Sequence, residues 1–394
     1  MPSVNLPQIL WHSKDNKHSD RVYSLDFKPQ GHNFNSTDVK STKLATAGAD
    51  EFVHIWEIQL QPINTKVISR LTGHIGEVNC VRWNKSGSVL ATGGEDKSLC
   101  LWSEVKPGES DDDPEFEEIW HRFKVFSLSQ AINSICWCQS ERYISAATED
   151  GNISIIDTTS ELNKIQILPS HSNIAQGISF AESQYIASLS SDQCLRVWNR
   201  EGEGKRWKTL LMLKNNRDCD ELNPTGDVQD KRAQKPVFLG EDLPSFFRRL
   251  DFSSNGTLLV TPAGIQNVIN KEANETSLPC CYVFHRKILG LGIPIITFPS
   301  PSGPTVVARF RPLESSCIFA VGTLDGSVCF YDVNKIEGPL AVLKGLHFAP
   351  ITDISWDSTG LVCAASSSDG YVSIITFRSD ELVDSPMNFD AQVN

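Results

Sequence analysis

ATAGADEFVHIW, from Ala45 to Trp56, returns in outline as ATGGEDKSLCLW at Ala91–Trp102 and as ASLSSDQCLRVW at Ala187–Trp198. Each phrase is a short apolar run, a small or polar turn ending in Asp, and an alternating run closed by Trp six residues after that Asp. Alternation with period two is the mark of a half-buried strand, so each phrase reads as a hairpin. One such unit cannot bury its own apolar faces. Recurrence along the chain therefore predicts units stacked on one another and, for strands of this kind, closed into a ring.

A second landmark tests the period: an apolar-x-x-apolar-x-aromatic strand ahead of each turn. It occurs seven times, ending at Phe27, Trp83, Trp137, Phe180, Phe252, Phe310 and Trp356, at intervals of 43 to 72 residues. The phrase resembles the WD40 repeat, whose uninterrupted unit takes roughly 40 to 45 residues, so the excess belongs to insertions. Asp150-Gly151, Asp325-Gly326 and Asp369-Gly370 supply the positive-φ chemistry of tight turns in units lacking the full phrase. The chain is predicted to be all-β, a seven-bladed propeller over residues 1–385, with insertions near 31–42, 104–120, 201–242 and 265–279 and a short tail at 386–394. An open first or last sheet would leave an unpaired edge. Leu6–Trp11, with no hairpin partner nearby, is expected to close the ring as the outermost strand of the last blade.

Composition sets the remaining bounds. A formal net charge of -12 over 394 residues disfavours direct DNA binding and suits basic partners. The longest apolar stretches fall short of the roughly 18 residues of a membrane span, and MPSVNLPQIL has no basic segment leading an apolar one, so no membrane association or secretory leader is expected. Eleven cysteines, odd in number and mostly at strand positions, read as free thiols in a reducing compartment.

The WD40 resemblance implies a hydrogen-bonded tetrad of His, Ser/Thr, Asp and Trp that pins each turn to the preceding loop. Its members here would be His18, Thr46, Asp50 and Trp56 in blade 1, His74, Thr92, Asp96 and Trp102 in blade 2, and His171, Ser188, Asp192 and Trp198 in blade 4. Blade 7 keeps His347 and Asp369 but carries Ala365 and Ile375 in the other two places. Histidines that recur at one place in a repeat, without ligand spacing between neighbours, read as structural rather than as metal ligands. C-x-x-C, H-E-x-x-H, G-x-S-x-G and P-loop signatures are absent. No catalytic residue, cofactor or metal is expected.

Function is therefore sought in the insertions and the irregular blade. Glu109–Glu118, ESDDDPEFEE, is the first candidate: Asp111, Asp112, Asp113, Glu115, Glu117 and Glu118 form either a solvated tether or a site for a basic partner. In blade 5, Phe246, Phe247, Arg248 and Arg249 fall on the inner-strand pattern. Two adjacent arginines there need internal carboxylates or an opening to the rim; the rim reading makes them a docking site for an acidic segment, with the phenylalanines as anchors.

PSFFRRLDFSSNGTLLVTPAG in blade 5, Tyr282–Phe284, VVARFRP and SSDGYVSIITFRSDEL resemble the middle-sized WD40 subunit of chromatin assembly factor 1, and DRVYSLDF and LATAGADEFVHIW match the same family's first blade. HIRA-type histone chaperone propellers share much of the pattern. The resemblance, over Arg21–Leu382, implies a nuclear, non-catalytic scaffold in a complex that deposits histone H3–H4 on replicated or repaired DNA. Its implied partners are the large subunit, the small histone-binding WD40 subunit, and H3–H4 indirectly through them. Family members dock the anti-silencing histone chaperone through a Pro/Ser-rich tail with an Arg-Arg strand motif; DSPMNFDAQVN does not match it, and that contact is not expected of these residues. A generic adaptor, such as a ubiquitin-ligase substrate receptor, would want a Trp-Asp-x-Arg element, which Trp198-Asn199-Arg200 does not supply.

Overall fold

The computed structural model describes residues 2–7, 9–15, 17–30, 41–105, 116–161, 164–202, 204–215, 235–269 and 275–384. They form seven four-stranded antiparallel sheets arranged as the blades of a propeller. The inner strands are Val22–Phe27, Val78–Trp83, Ile132–Trp137, Ala175–Ala181, Asp251–Phe252, Thr305–Phe310 and Ile351–Trp356. Each carries one of the seven aromatic landmarks at or near its end. Blades meet face to face, so apolar residues fill both sides of each sheet. Ala45, Val53 and Ile55 of blade 1, for example, join Val81, Trp83, Leu90, Cys100 and Trp102 of blade 2 in one core. None of the ten described cysteines is paired, and no described helix is long and apolar enough to cross a membrane.

The N-terminal strand closes the ring, but not with the expected residues. Ser3–Asn5 pairs with Val372–Thr376 of blade 7, in the register Ser3↔Thr376 and Asn5↔Ile374. Leu6–Trp11 instead leads to blade 1, where Trp11 is fully buried and lies 4.8 Å from the Trp56 ring. The three-residue strand is too short and too polar to stand out by periodicity. Its partner strand, not its own composition, defines it.

Six turns share one conformation. The residue after the turn Asp has positive φ whether it is glycine (Gly151, Gly326, Gly370) or not (Glu51, Lys97, Gln193). The Asp makes this tolerable at non-glycine sites, because its carboxylate accepts the backbone N–H two residues on, from Phe52, Ser98 and Cys194 respectively.

Blade 5 departs from the pattern. Its inner strand pairs with the next strand only at Asp251 and Phe252. Above them the backbone shifts toward the axis, where Arg248 N–H donates to Gln176 C=O in blade 4 and Arg249 N–H to Val306 C=O in blade 6. The vacated place beside Leu258–Ile269 is filled by the end of the preceding insertion: Leu239 N–H donates to Ala263 C=O and Ile265 N–H to Val237 C=O. Part of each of two expected insertions is thus strand. Lys208–Leu213 forms the outer strand of blade 4, and Gly264–Ile269 with Glu275–Cys280 lengthens a blade 5 hairpin.

Candidate functional site

Blades 1, 2, 4 and 7 each hold a His–Asp pair at the upper face, where the chain enters the inner strands. In blade 2, His74 Nδ1 lies 2.9 Å from Asp96, His74 Nε2 lies 2.6 Å from Thr92 Oγ1, and Trp102 Nε1 donates to the same hydroxyl at 2.9 Å. In blade 1 the histidine is His12, not His18. His12 Nδ1 stands 2.6 Å from Asp50, its Nε2 2.9 Å from Thr46, and Trp56 Nε1 donates to Thr46 at 2.8 Å. His18 is 83% exposed and bonds to Asp15. The connection into blade 1 is longer than in blades 2 and 4, so counting back from the aromatic lands on the wrong histidine.

Blade 4 has the His171–Asp192 contact at 3.2 Å and His171–Ser188 at 2.6 Å, but the buried Trp198 Nε1 has no hydrogen-bond partner among the described residues. Blade 7 obtains its hydroxyl from elsewhere. Ser373, directly across from Ala365, places Oγ 2.7 Å from His347 Nε2. A hydroxyl moved to the neighbouring strand reaches the same ring.

Burial alone would raise the carboxyls of Asp50, Asp96, Asp192 and Asp369. Hydrogen bonds from their histidines and from backbone N–H groups more than offset it and hold all four below the ordinary carboxylate range. His54, beside the blade 1 pair, is pushed down to about 3, first by burial and then by His12.

The two arginines of blade 5 are both fully buried, which overturns their expected place on the rim. Arg249 crosses the central channel: its guanidinium donates to Thr352 C=O (3.0 Å), Tyr23 C=O (3.2 Å) and Asn79 C=O (2.8 Å), in blades 7, 1 and 2. Phe247 covers it, with its ring centroid 4.3 Å from the guanidinium carbon, and is itself buried against Tyr23. Arg248 turns outward between blades 4 and 5. It donates to the carbonyls of Leu239 and Gly240, clamping the returning insertion to the ring. Burial pulls both guanidiniums down to about 10. Of the four blade 5 candidates, only Phe246 is open to a partner, at 69% exposure.

Below Arg249 the channel holds a charge network that sequence reading missed. Asp353 accepts hydrogen bonds from Arg82 at 3.0 Å and from Ser24 at 2.7 Å, and is ion-paired with Arg82 at 2.7 Å, Arg309 at 3.4 Å and Arg249 at 3.6 Å. Asp26 accepts from Trp83 N–H and Ser355, and Asp251 from Phe310 N–H. Burial would raise Asp353, but Arg249, Arg82 and Arg309 together hold it well below the usual range; burial dominates at Asp26 and Asp251 and raises both. A usable signal was present: Asp26, Arg82, Asp251 and Arg309 each stand immediately before the landmark aromatic, a position that faces the channel.

Asp111, Asp112, Asp113 and Glu115 lie outside the described residues. The end of the acidic run turns back onto blade 1, where Glu118 pairs with Lys43 and Glu117 with Lys66, so neither carboxylate is a free charge. Apolar side chains do project from the upper face: Ile75 at 84% and Phe348 at 98% exposure, each directly after a paired histidine. Their backbone N–H groups donate to Asp96 and Asp369 at 3.0 Å. The turn network therefore fixes where these two side chains stand. At the opposite mouth a cavity of about 260 Å³ is lined by Trp83, Trp137, Phe180, Phe252 and Lys85.

Comparison with known proteins assigns this architecture. Residues 2–382 match the model of the CAF1B/HIR1 beta-propeller domain. The chain is 32% identical to the B-subunit of chromatin assembly factor 1 from Gallus gallus, over 95% of its own length and 67% of that protein's. Identity to the protein of the same name in Saccharomyces cerevisiae is 29%, over 95% of this chain and 85% of that protein. Protein HIR1 of Mycosarcoma maydis is 25% identical over 97% of this chain and 35% of the relative. With the seven-bladed ring, its N-terminal closing strand and a match over nearly the whole length, the chain belongs to the CAF1B/HIR1 β-propeller family.

Proposed function

We propose that this chain is the non-catalytic scaffold subunit of a chromatin assembly factor 1-type histone chaperone, acting in the nucleus in the deposition of H3–H4 on replicated or repaired DNA. The observation that carries the reading is the graded similarity within the family: 32% identity to a B-subunit of chromatin assembly factor 1 against 25% to a HIR1 protein. A structural role suits the channel, where the carboxylates able to do acid–base chemistry are engaged by arginines, hydroxyls and backbone N–H groups. The large subunit docks on the upper face through Phe246, Ile75 and Phe348, since rigidly held apolar side chains on a polar surface bind at low ordering cost. H3–H4 and the small WD40 subunit reach this chain through that large subunit. Affinity purification of the tagged chain from nuclear extract tests the reading. Recovery of a chromatin assembly large subunit with H3–H4 supports it, and recovery of HIR-type partners or ligase components instead refutes it.

A further inference from the structure

Blade 1 differs from the other blades in one side chain beside the paired histidine. Across the second and third strands, Thr92 of blade 2 faces Cys100 and Ser188 of blade 4 faces Arg196, whereas Thr46 of blade 1 faces His54. The His54 ring lies 4.8 Å from the His12 ring, centroid to centroid. One nitrogen of His54 bonds to the Trp11 backbone. The other, Nδ1, is buried and has no hydrogen-bond partner among the described residues. A lone pair left bare in this way, on a ring whose opposite N–H is held by a backbone carbonyl, is the arrangement usual for a metal-ligating histidine.

We propose that His12, Asp50 and His54 form a binding site for one divalent transition metal ion of the zinc type. One donor atom from each of the three lies within 4.8 Å of the others. Two imidazole nitrogens and a carboxylate oxygen suit zinc, which takes them at about 2.0–2.2 Å and leaves a fourth position for water. The ion displaces the proton that now lies between His12 Nδ1 and Asp50. His12 stays neutral by carrying that proton on Nε2 instead, directed at Thr46 Oγ1, an oxygen that already accepts from Trp56 Nε1. Asp50 remains held by the backbone N–H groups of Ser13 and Phe52. Arg70, opposite His54 on the outer strand, has its guanidinium over the Phe52 and Phe116 rings, at 5.3 and 5.4 Å.

A similar trio in blade 4, His171, Asp192 and Cys194, lacks the bare nitrogen, and the Cys194 thiol donates to the Leu195 carbonyl at 3.6 Å. The blade 1 site also has a mechanical consequence. His12 follows the strand that closes the ring on blade 7, whereas His54 lies on the third strand of blade 1. A bound ion ties the closing arm to blade 1.

Zinc titrated calorimetrically into the chelator-stripped, untagged chain tests the site, with cobalt as a spectroscopic probe of coordination. One equivalent is expected to bind and to raise the melting temperature. His54→Ala weakens binding at least tenfold and removes the rise, judged against that variant's own metal-free melting temperature, since loss of the ring also removes its packing and its bond to the Trp11 backbone. His54→Arg repeats the test with the residue type blade 4 carries at the paired position. His18→Ala leaves binding unchanged. Absence of one-to-one binding overturns the proposal, as does equal affinity in either His54 variant, which would place the ion elsewhere.

Discussion

A Cβ added to Gly177 would stand 1.9 Å from the carbonyl oxygen of Arg248. The inward shift of blade 5 therefore depends on a missing side chain in blade 4. Because the obstacle is backbone, a neighbouring side chain cannot relieve it by turning aside. Gly177→Ala is expected to destabilise the ring by about 1–3 kcal/mol or more, as overpacking does. Gly202→Ala, where the nearest atom is 4.0 Å away on a lysine side chain, is expected to leave the melting temperature nearly unchanged.

Channel charges predict effects of very different size. Asp353→Asn leaves Arg82, Arg249 and Arg309 facing one another around a neutral group and is expected to cost about 3–5 kcal/mol, the range for breaking a buried pair. Asp26→Asn removes a carboxylate that burial already disfavours and should cost far less. Denaturant titration of both variants measures the difference.

The turn networks can be separated indole by indole. Trp56→Phe and Trp102→Phe each delete a bond to a buried threonine and are expected to cost about 0.5–1.5 kcal/mol beyond the change in packing. Trp198→Phe deletes a donor with no partner among the described residues and should cost only the change in packing. Within blade 1, His12→Ala lowers the melting temperature while His18→Ala, at an exposed position, does not. Equal effects of the two histidine variants would contradict the assignment of His12.

Acid should unfold the protein through the same turns. Asp50, Asp96, Asp192 and Asp369 have folded-state pKa values below their unfolded values. Their contribution is complete above the unfolded carboxylate value of about 3.9 and is lost as pH falls through the folded values. Asp26 and Asp251, raised in the fold, act with the opposite sign and cost stability as pH rises through their folded values. The melting temperature is expected to drop steeply below about pH 4, and Asp192→Asn to flatten that drop, since one depressed carboxylate no longer titrates.

The ring was legible because its signals are local and repeated. Six residues from Asp to Trp, and an aromatic at the end of each inner strand, are set by a hairpin's own geometry. What could not be read was set by distance along the chain. Ser3–Asn5 becomes a strand only through Thr376, and Ser373 replaces the hydroxyl missing at Ala365 only because the two are paired. Arg248 and Arg249, adjacent on an inner-strand pattern, signal in sequence that they need partners. Those partners are chiefly backbone carbonyls, of Leu239 and Gly240 for Arg248 and of Tyr23, Asn79 and Thr352 for Arg249, with Asp353 beside the latter; carbonyls carry no residue-type signature, so the sequence could not tell a buried clamp from an exposed patch. Phe246 and Phe247 look alike in sequence, and only the shift of blade 5 separates an exposed ring from a buried one.

The scaffold reading is tested most directly by mixing this chain with a purified chromatin assembly factor 1 large subunit and measuring the mass of the product by chromatography with light scattering. A one-to-one complex is expected, able to take up H3–H4, and lost without loss of fold when Phe246, Ile75 and Phe348 are all changed to Ser. Failure of the parent chain to bind that subunit, under conditions where its melting curve shows it folded, would contradict the account.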